Sequence, residues 1–208
     1  MWWDRIILGI YGTALLFLGA TVSVAGTADT ISGATKKPQV VLPKDGPTWT
    51  VIGEVWGIRN FVVRYHGRLY RGGKIESEKA LDFLKHRGIT TVFSVTPDET
   101  ERKLLKDAGI ELIELPFEKT GVPREVFDRF IAEAKKRPGP LYVHCLGGKQ
   151  RGGILSAAYR IAIDGFTLEQ ALAEFLALGG DEKVDAGLIA SLREYLRSSG
   201  RINSPRTP

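Results

Sequence analysis

The chain reads as an α/β fold: a mostly parallel central sheet of four to five strands flanked by helices, with a reactive loop at one strand's end. Three observations predict this. Short β-branched or aromatic runs alternate with amphipathic helical stretches, the pattern that crossover connections of a parallel sheet leave in a sequence. Ile89–Val95 and Leu141–His144 are short runs rich in apolar and β-branched residues, bounded by glycine or proline, as core strands are. A glycine-bearing segment, Leu146-Gly147-Gly148-Lys149, follows the second run and precedes a helical stretch. That order sets a loop at the carboxyl edge of a strand, where open α/β sheets keep their sites.

The elements follow in order. Residues 6–25 carry no charged side chain, and about 20 such residues suffice to cross a bilayer. Trp2, Trp3 and Tyr11 suit its interfaces. The stretch reads as a transmembrane anchor, or alternatively as a signal peptide cut near Ala25 or Ala28. Either reading expects an exported or membrane-anchored protein with its main domain periplasmic or otherwise outside the cytoplasm. Charge leaves the orientation open, because Asp4 opposes Arg5. Residues 26–48, rich in Gly, Thr, Lys and Pro, read as a linker. A domain over 49–198 follows, with a disordered tail over 199–208.

Within the domain, Val51–Val55, Phe61–Tyr65 and Leu69–Arg71 read as short strands. The Ala80-Leu81-Leu84 spacing predicts a helix over Glu76–Arg87, ended by Gly88. Ile89–Val95 is a strand, Glu99–Ala108 a helix stopped by Gly109, and Ile110–Leu115 a strand. Pro123 opens a helix to Lys136 with Val126, Phe127, Phe130, Ile131 and Ala134 on one face. After the strand Leu141–His144 come a helix over Gly153–Ile163, another opened by a Thr167/Gln170 capping box, and a last one over Ala186–Arg197.

Composition excludes several classes. The 208 residues carry a formal charge of +5 and are 43% hydrophobic, ordinary for one globular domain. The modest positive balance suits anionic substrates or an anionic surface. Without a dense Lys/Arg stripe, nucleic acid is not an expected partner. One cysteine excludes an internal disulfide, and three scattered histidines (His66, His86, His144) make a zinc site implausible. No metal or cofactor is implied.

The chemistry concentrates in His144-Cys145-Leu146-Gly147-Gly148-Lys149-Gln150-Arg151-Gly152. The two glycines let the loop curl so that backbone N–H groups point inward and form an anion nest. The following helix adds its positive end. Arg151 supplies a planar fork for two phosphate oxygens. The same field favours a thiolate at Cys145, a nucleophile aimed at a bound phosphorus atom.

These residues resemble the signature of the cysteine-dependent phosphatases of the tyrosine/dual-specificity superfamily: His-Cys, five residues, Arg. The resemblance runs from about Asn60 to Leu196 and is similar to the bacterial members. Leu69-Tyr70-Arg71-Gly72-Gly73 and Gly88–Val95 look like their first half, and Ala158–Ala162 with Gly165–Ala171 like their C-terminal helices. It implies a metal-free phosphomonoesterase working through a Cys145-phosphate intermediate on a phosphoprotein or a phosphoinositide-like substrate. It assigns Cys145 and Arg151 to catalysis and Leu146, Gly147, Gly148, Lys149, Gln150 and Gly152 to substrate binding. His144 is grouped with the binding loop as the residue that orients it. Lys149 resembles the extra loop cation of the lipid-phosphatase branch.

Two departures stand out. Where related lipid phosphatases place an acidic residue after Pro-Phe-Glu, this chain has Lys119, leaving Glu118 as the only carboxylate on that loop and the candidate general acid. Asp98 is a second candidate, whose plain role is to cap the helix starting at Glu99. The family's Ser or Thr after the signature arginine is Gly152 here, which predicts slow hydrolysis of the phosphoenzyme. The alternatives are a phosphate-binding pseudophosphatase acting as sensor or interaction module, and rhodanese-like sulfur transfer.

Overall fold

The computed structural model describes residues 49–64 and 68–200. The anchor or signal over 1–25, the linker over 26–48 and the tail beyond residue 200 lie outside the described residues. Among the described residues, no helix is long and apolar enough to cross a membrane.

Among the described residues, six strands form one sheet: β1 (Trp49–Val55), β2 (Ile58–Arg64), β3 (Leu69–Gly72), β4 (Thr91–Ser94), β5 (Glu111–Glu114) and β6 (Leu141–His144), in the order β1-β2-β3-β6-β4-β5. The pairings β3–β6, β4–β6 and β4–β5 are parallel, and β1–β2 and β2–β3 antiparallel. The expected four to five strands are thus six. The two extra pairings come from local hairpin connections, which need no crossover helix and extend one edge antiparallel.

The helices are α1 (Glu78–His86), α2 (Glu99–Asp107), α3 (Arg124–Lys136), α4 (Arg151–Ala162), α5 (Leu168–Ala177) and α6 (Ala186–Ser198). Strand periodicity divides the core into two. In β3, β4 and β6, Leu69, Phe93, Leu141 and Val143 face one cluster with the apolar sides of α3 to α6. Tyr70, Val92 and Tyr142 face the other, with Leu81 and Leu84 of α1 and Leu105 of α2. Side chains alternating across the pleat put successive residues into opposite layers, and both layers are buried. Phe93 meets Phe130 edge-to-face at 4.9 Å, locking β4 onto α3.

Local signals set the helix starts. Thr167 and Gln170 form a complete capping box on α5. Ser77 caps α1 and Asp98 caps α2 through the Glu101 N–H at 2.9 Å. α4 begins at Arg151, two residues ahead of the expected Gly153, so the loop runs straight into the helix.

Candidate active site

β6 ends at His144 between β3 and β4, and the chain then turns through 145–150 into α4. Gln150, at the N-cap, makes no side-chain cap bond, so it leaves the first-turn amides of α4 to other partners. The loop walls a cleft of about 330 Å³ lined by Arg59, Asn60, Lys119, Cys145, Leu146, Gly147, Lys149, Gln150 and Arg151. Cys145 is 4% exposed, yet it forms part of the cleft wall together with Arg151. Among the described residues, four cations and no carboxylate line this space.

The two loop glycines differ. Gly148 has φ +74, and a Cβ there would lie 2.5 Å from Gly73 N and 2.7 Å from Gly72 O. The backbone of the loop therefore rests directly on that of β3 and the residue after it. Gly147 has neither constraint, and nothing lies within 4 Å of the Cβ it lacks. Lys149 lays its stem over Gly179, where a Cβ would approach Lys149 Cδ to 3.0 Å.

Behind the loop lies a buried polar layer. The His144 and Glu101 side chains are fully buried, with His144 Nε2 and Glu101 Oε1 2.8 Å apart. That contact is off the line of a well-formed hydrogen bond. Ser94 Oγ donates to Glu101 Oε2 at 2.7 Å. The His144 ring stacks on Tyr142 at 5.5 Å, and Tyr142 donates its hydroxyl to Gly73 O at 2.5 Å. Burial, reinforced by the Cys145 charge, raises the Tyr142 phenol well above its ordinary value, so it stays a neutral donor. Arg71, 1% exposed, donates to Leu178 O at 3.0 Å. Burial lowers its guanidinium to about 10, against the opposing pull of Cys145.

The structure brings Cys145, Leu146, Gly147, Lys149, Gln150 and Arg151 to the cleft. His144, Gly148 and Gly152 are buried behind it. The His144 ring faces Glu101 and Tyr142, away from the cleft lining, where it can support the loop but not touch a substrate. Arg151 donates to Phe117 O at 3.0 Å, tying the loop that carries Glu118 to the signature. On that loop Lys119 lines the cleft, while Glu118 is exposed and outside the lining. Asp98 pairs with Lys74 and caps α2. The hydrogen bond from Lys74 holds its carboxyl below the ordinary value, opposite to what a proton-holding acid requires. Reading the sequence missed Arg59, Asn60 and Glu101, and left Arg71 outside the site. They lie on β2, α2 and β3, and only the sheet order and the packing of α2 bring them near the loop.

Residues 59–201 match the phosphatase family described as Swiss Army Knife protein, DSP-PTPase phosphatase domain. The chain belongs to this family and is a phosphatase. More particularly, it is 29% identical over 186 residues to the dual specificity protein phosphatase TpbA of Pseudomonas aeruginosa strain PAO1, covering 86% of this chain and 75% of that protein. Over 117 residues it is 32% identical to TpbA of a second P. aeruginosa strain, covering 55% and 53%. The crystal structure of P. aeruginosa TpbA is similar at TM-score 0.59 and 26% identity, over 76% of this chain and 96% of that one. PTPMT1 shares the fold at TM-score 0.52 and 18% identity, over 65% and 96%.

Proposed function

We propose that this phosphatase hydrolyses phosphate monoesters through a covalent Cys145-phosphate, with substrates that carry further negative charge near the scissile phosphate. The observation that carries the reading is Cys145 in the wall of a cleft shared with Arg151, beside the N-terminus of α4, whose N-cap Gln150 makes no side-chain cap bond. A phosphate seated there meets loop amides, the helix end and a guanidinium, all fixed before it arrives. Cys145 Sγ attacks phosphorus, the P–O ester bond breaks, and the departing oxygen takes a proton from Glu118, which the loop over 117–119 must bring in from its exposed position outside the lining. Water then attacks phosphorus and gives its proton to the Glu118 carboxylate, the S–P bond breaks, and inorganic phosphate leaves.

Four lining cations without a carboxylate support an anionic surrounding on the substrate. The name of its relative, a dual specificity protein phosphatase, supports phosphotyrosine together with phosphoserine and phosphothreonine on proteins. Lys149 supports phosphoinositide-like substrates through the same charge. The uncharged run of residues 6–25 supports attachment to a membrane or export, with the catalytic domain outside the cytoplasm.

The test is phosphate release from an aryl phosphate and a panel of phosphopeptides and inositol phosphates, with Cys145→Ser alongside. Release by the wild type, abolished in the variant, is expected. A wild-type rate no faster than the variant's, with phosphate still bound, would establish a sensor instead. Glu118→Ala should slow esters with poor leaving groups by about 10²-fold and spare good ones. An unchanged dependence on the leaving group removes Glu118 as the acid. Carbonate extraction of membranes, comparing the full chain with one lacking residues 1–48, checks the anchor.

A further inference from the structure

The first residues of β2 lie 87 positions before the signature loop, yet they hold its backbone. Asn60 Nδ2 donates to Gly147 O at 2.7 Å, and Arg59 Nη2 donates to Leu146 O at 3.0 Å. Arg59 is itself fixed, its carbonyl accepting from Gly73 N–H at 2.7 Å. In a planar trans peptide the C=O and N–H point in opposite directions. The Leu146 carbonyl shares its peptide with the Gly147 N–H, and the Gly147 carbonyl shares its peptide with the Gly148 N–H. Drawing the two carbonyls toward β2 therefore turns those two amides the other way.

Asn60 reaches this position at a conformational cost. Its φ is +53, a left-handed value that only Trp56 shares among the described non-glycine residues. The β1–β2 register slips at the same place: Gly53 pairs with Phe61 and Val55 with Ile58, so β2 carries an extra residue across Arg59 and Asn60. A bulge of this kind re-aims a side chain out of a regular ladder, and asparagine tolerates the left-handed region better than most residues. Strained backbone persists where its surroundings over-determine it. Here the surroundings are Gly147 O on one side and the cleft, which Asn60 lines, on the other.

We infer that Asn60 is a positioning residue of this phosphatase: from a bulge in β2 it orients the peptides at Leu146–Gly148 so that the loop amides receive the phosphate oxygens. The inference rests on the loop's binding phosphate, as proposed above, and adds a residue outside the signature that sets its donors. The clean perturbation is Asn60→Gly. Glycine adopts φ +53 without strain, so the fold is kept while the donor to Gly147 O is lost.

Inorganic phosphate binding is measured by calorimetry on the full chain, with Tm and kcat/KM alongside. Asn60→Gly should weaken phosphate binding by roughly tenfold, the scale of one lost oriented hydrogen bond plus a slackened loop. Its Tm should stay equal or rise. Wild-type phosphate affinity in Asn60→Gly overturns the inference. So does a loss of affinity that comes with a Tm fall of several degrees, because a merely structural residue lowers both. Arg151→Ala separates the two levels: no phosphate binding by the wild type, or binding indifferent to Arg151→Ala, overturns the functional reading and this inference with it. Loss in Arg151→Ala with none in Asn60→Gly overturns this inference alone.

Discussion

Gly152→Ser restores a hydroxyl where the resembled phosphatases carry one, and the structure sets how large its effect should be. Gly152 is in the first turn of α4, and a Cβ there would lie 3.5 Å from Cys145 N and from His144 C and Cα. That is ordinary van der Waals distance, so the added atom needs no backbone shift. It also places that atom at the start of the loop, beside the sulfur-bearing residue. A hydrogen bond to a charged partner contributes about 1.5–3 kcal/mol. If it forms as the thiolate departs from phosphorus, hydrolysis of the phosphoenzyme rises about 10- to 150-fold. Rapid-quench measurement on an aryl phosphate separates the two half-reactions. The wild type should release one enzyme equivalent of phenol in a burst and then turn over slowly. In Gly152→Ser the burst should shrink and the steady rate rise. Gly152→Ala is the control: it gains only helix propensity, about 1 kcal/mol of stability, with rates unchanged. No wild-type burst, or a phosphoenzyme lifetime unmoved by Gly152→Ser, would refute the reasoning.

Gly148→Ala combines a left-handed φ with collision against the Gly72–Gly73 backbone; the loop must shift, and a displacement near 1 Å costs about 10²-fold in kcat/KM. Gly147→Ala, with free space, should keep Tm within a degree or so of wild type, and thermal melts with aryl phosphate kinetics compare the pair. Glu101→Ala leaves His144 and Ser94 facing a void, and leaving buried polar groups unsatisfied should lower stability by about 1–3 kcal/mol. Glu101→Gln should lose less, since it still accepts from Ser94, and urea denaturation measures both. Hydrogen bonds from Lys136 and Arg137 hold the Glu133 carboxyl at about 2, below its ordinary 4.5. Between these values the unfolded chain binds more protons than the folded one, so stability is present above pH 4.5 and is lost as pH falls toward 2. Tm should fall with pH more steeply for the wild type than for Glu133→Gln across that interval.

Much of the fold and the reactive loop was legible from residues near one another in the chain. The Asp98 cap and the Thr167/Gln170 box involve partners three residues apart, and their geometry follows from the first helical turn. The run from His144 to Arg151 is equally local: a strand, a glycine-bearing turn, and a helix end that needs no partner to bind an anion. The apolar faces of α1 and α3 announced themselves by period. The same local rules misplaced the start of α4 by two residues, because no capping side chain marks it.

Tertiary structure decided the rest. Asn60 and Arg59 meet Leu146 and Gly147 only because β2, β3 and β6 are successive in the sheet. Glu101 reaches His144 only because α2 packs over β4 and β6. Which glycine the loop could not replace depended on the β3 backbone beneath it, and whether Lys119 or Glu118 lines the cleft depended on how Arg151 holds the Phe117 carbonyl. Periodicity and caps record forces acting within a turn or a pleat. A hydrogen bond across 87 residues leaves no such trace, because it is set by where whole elements come to rest.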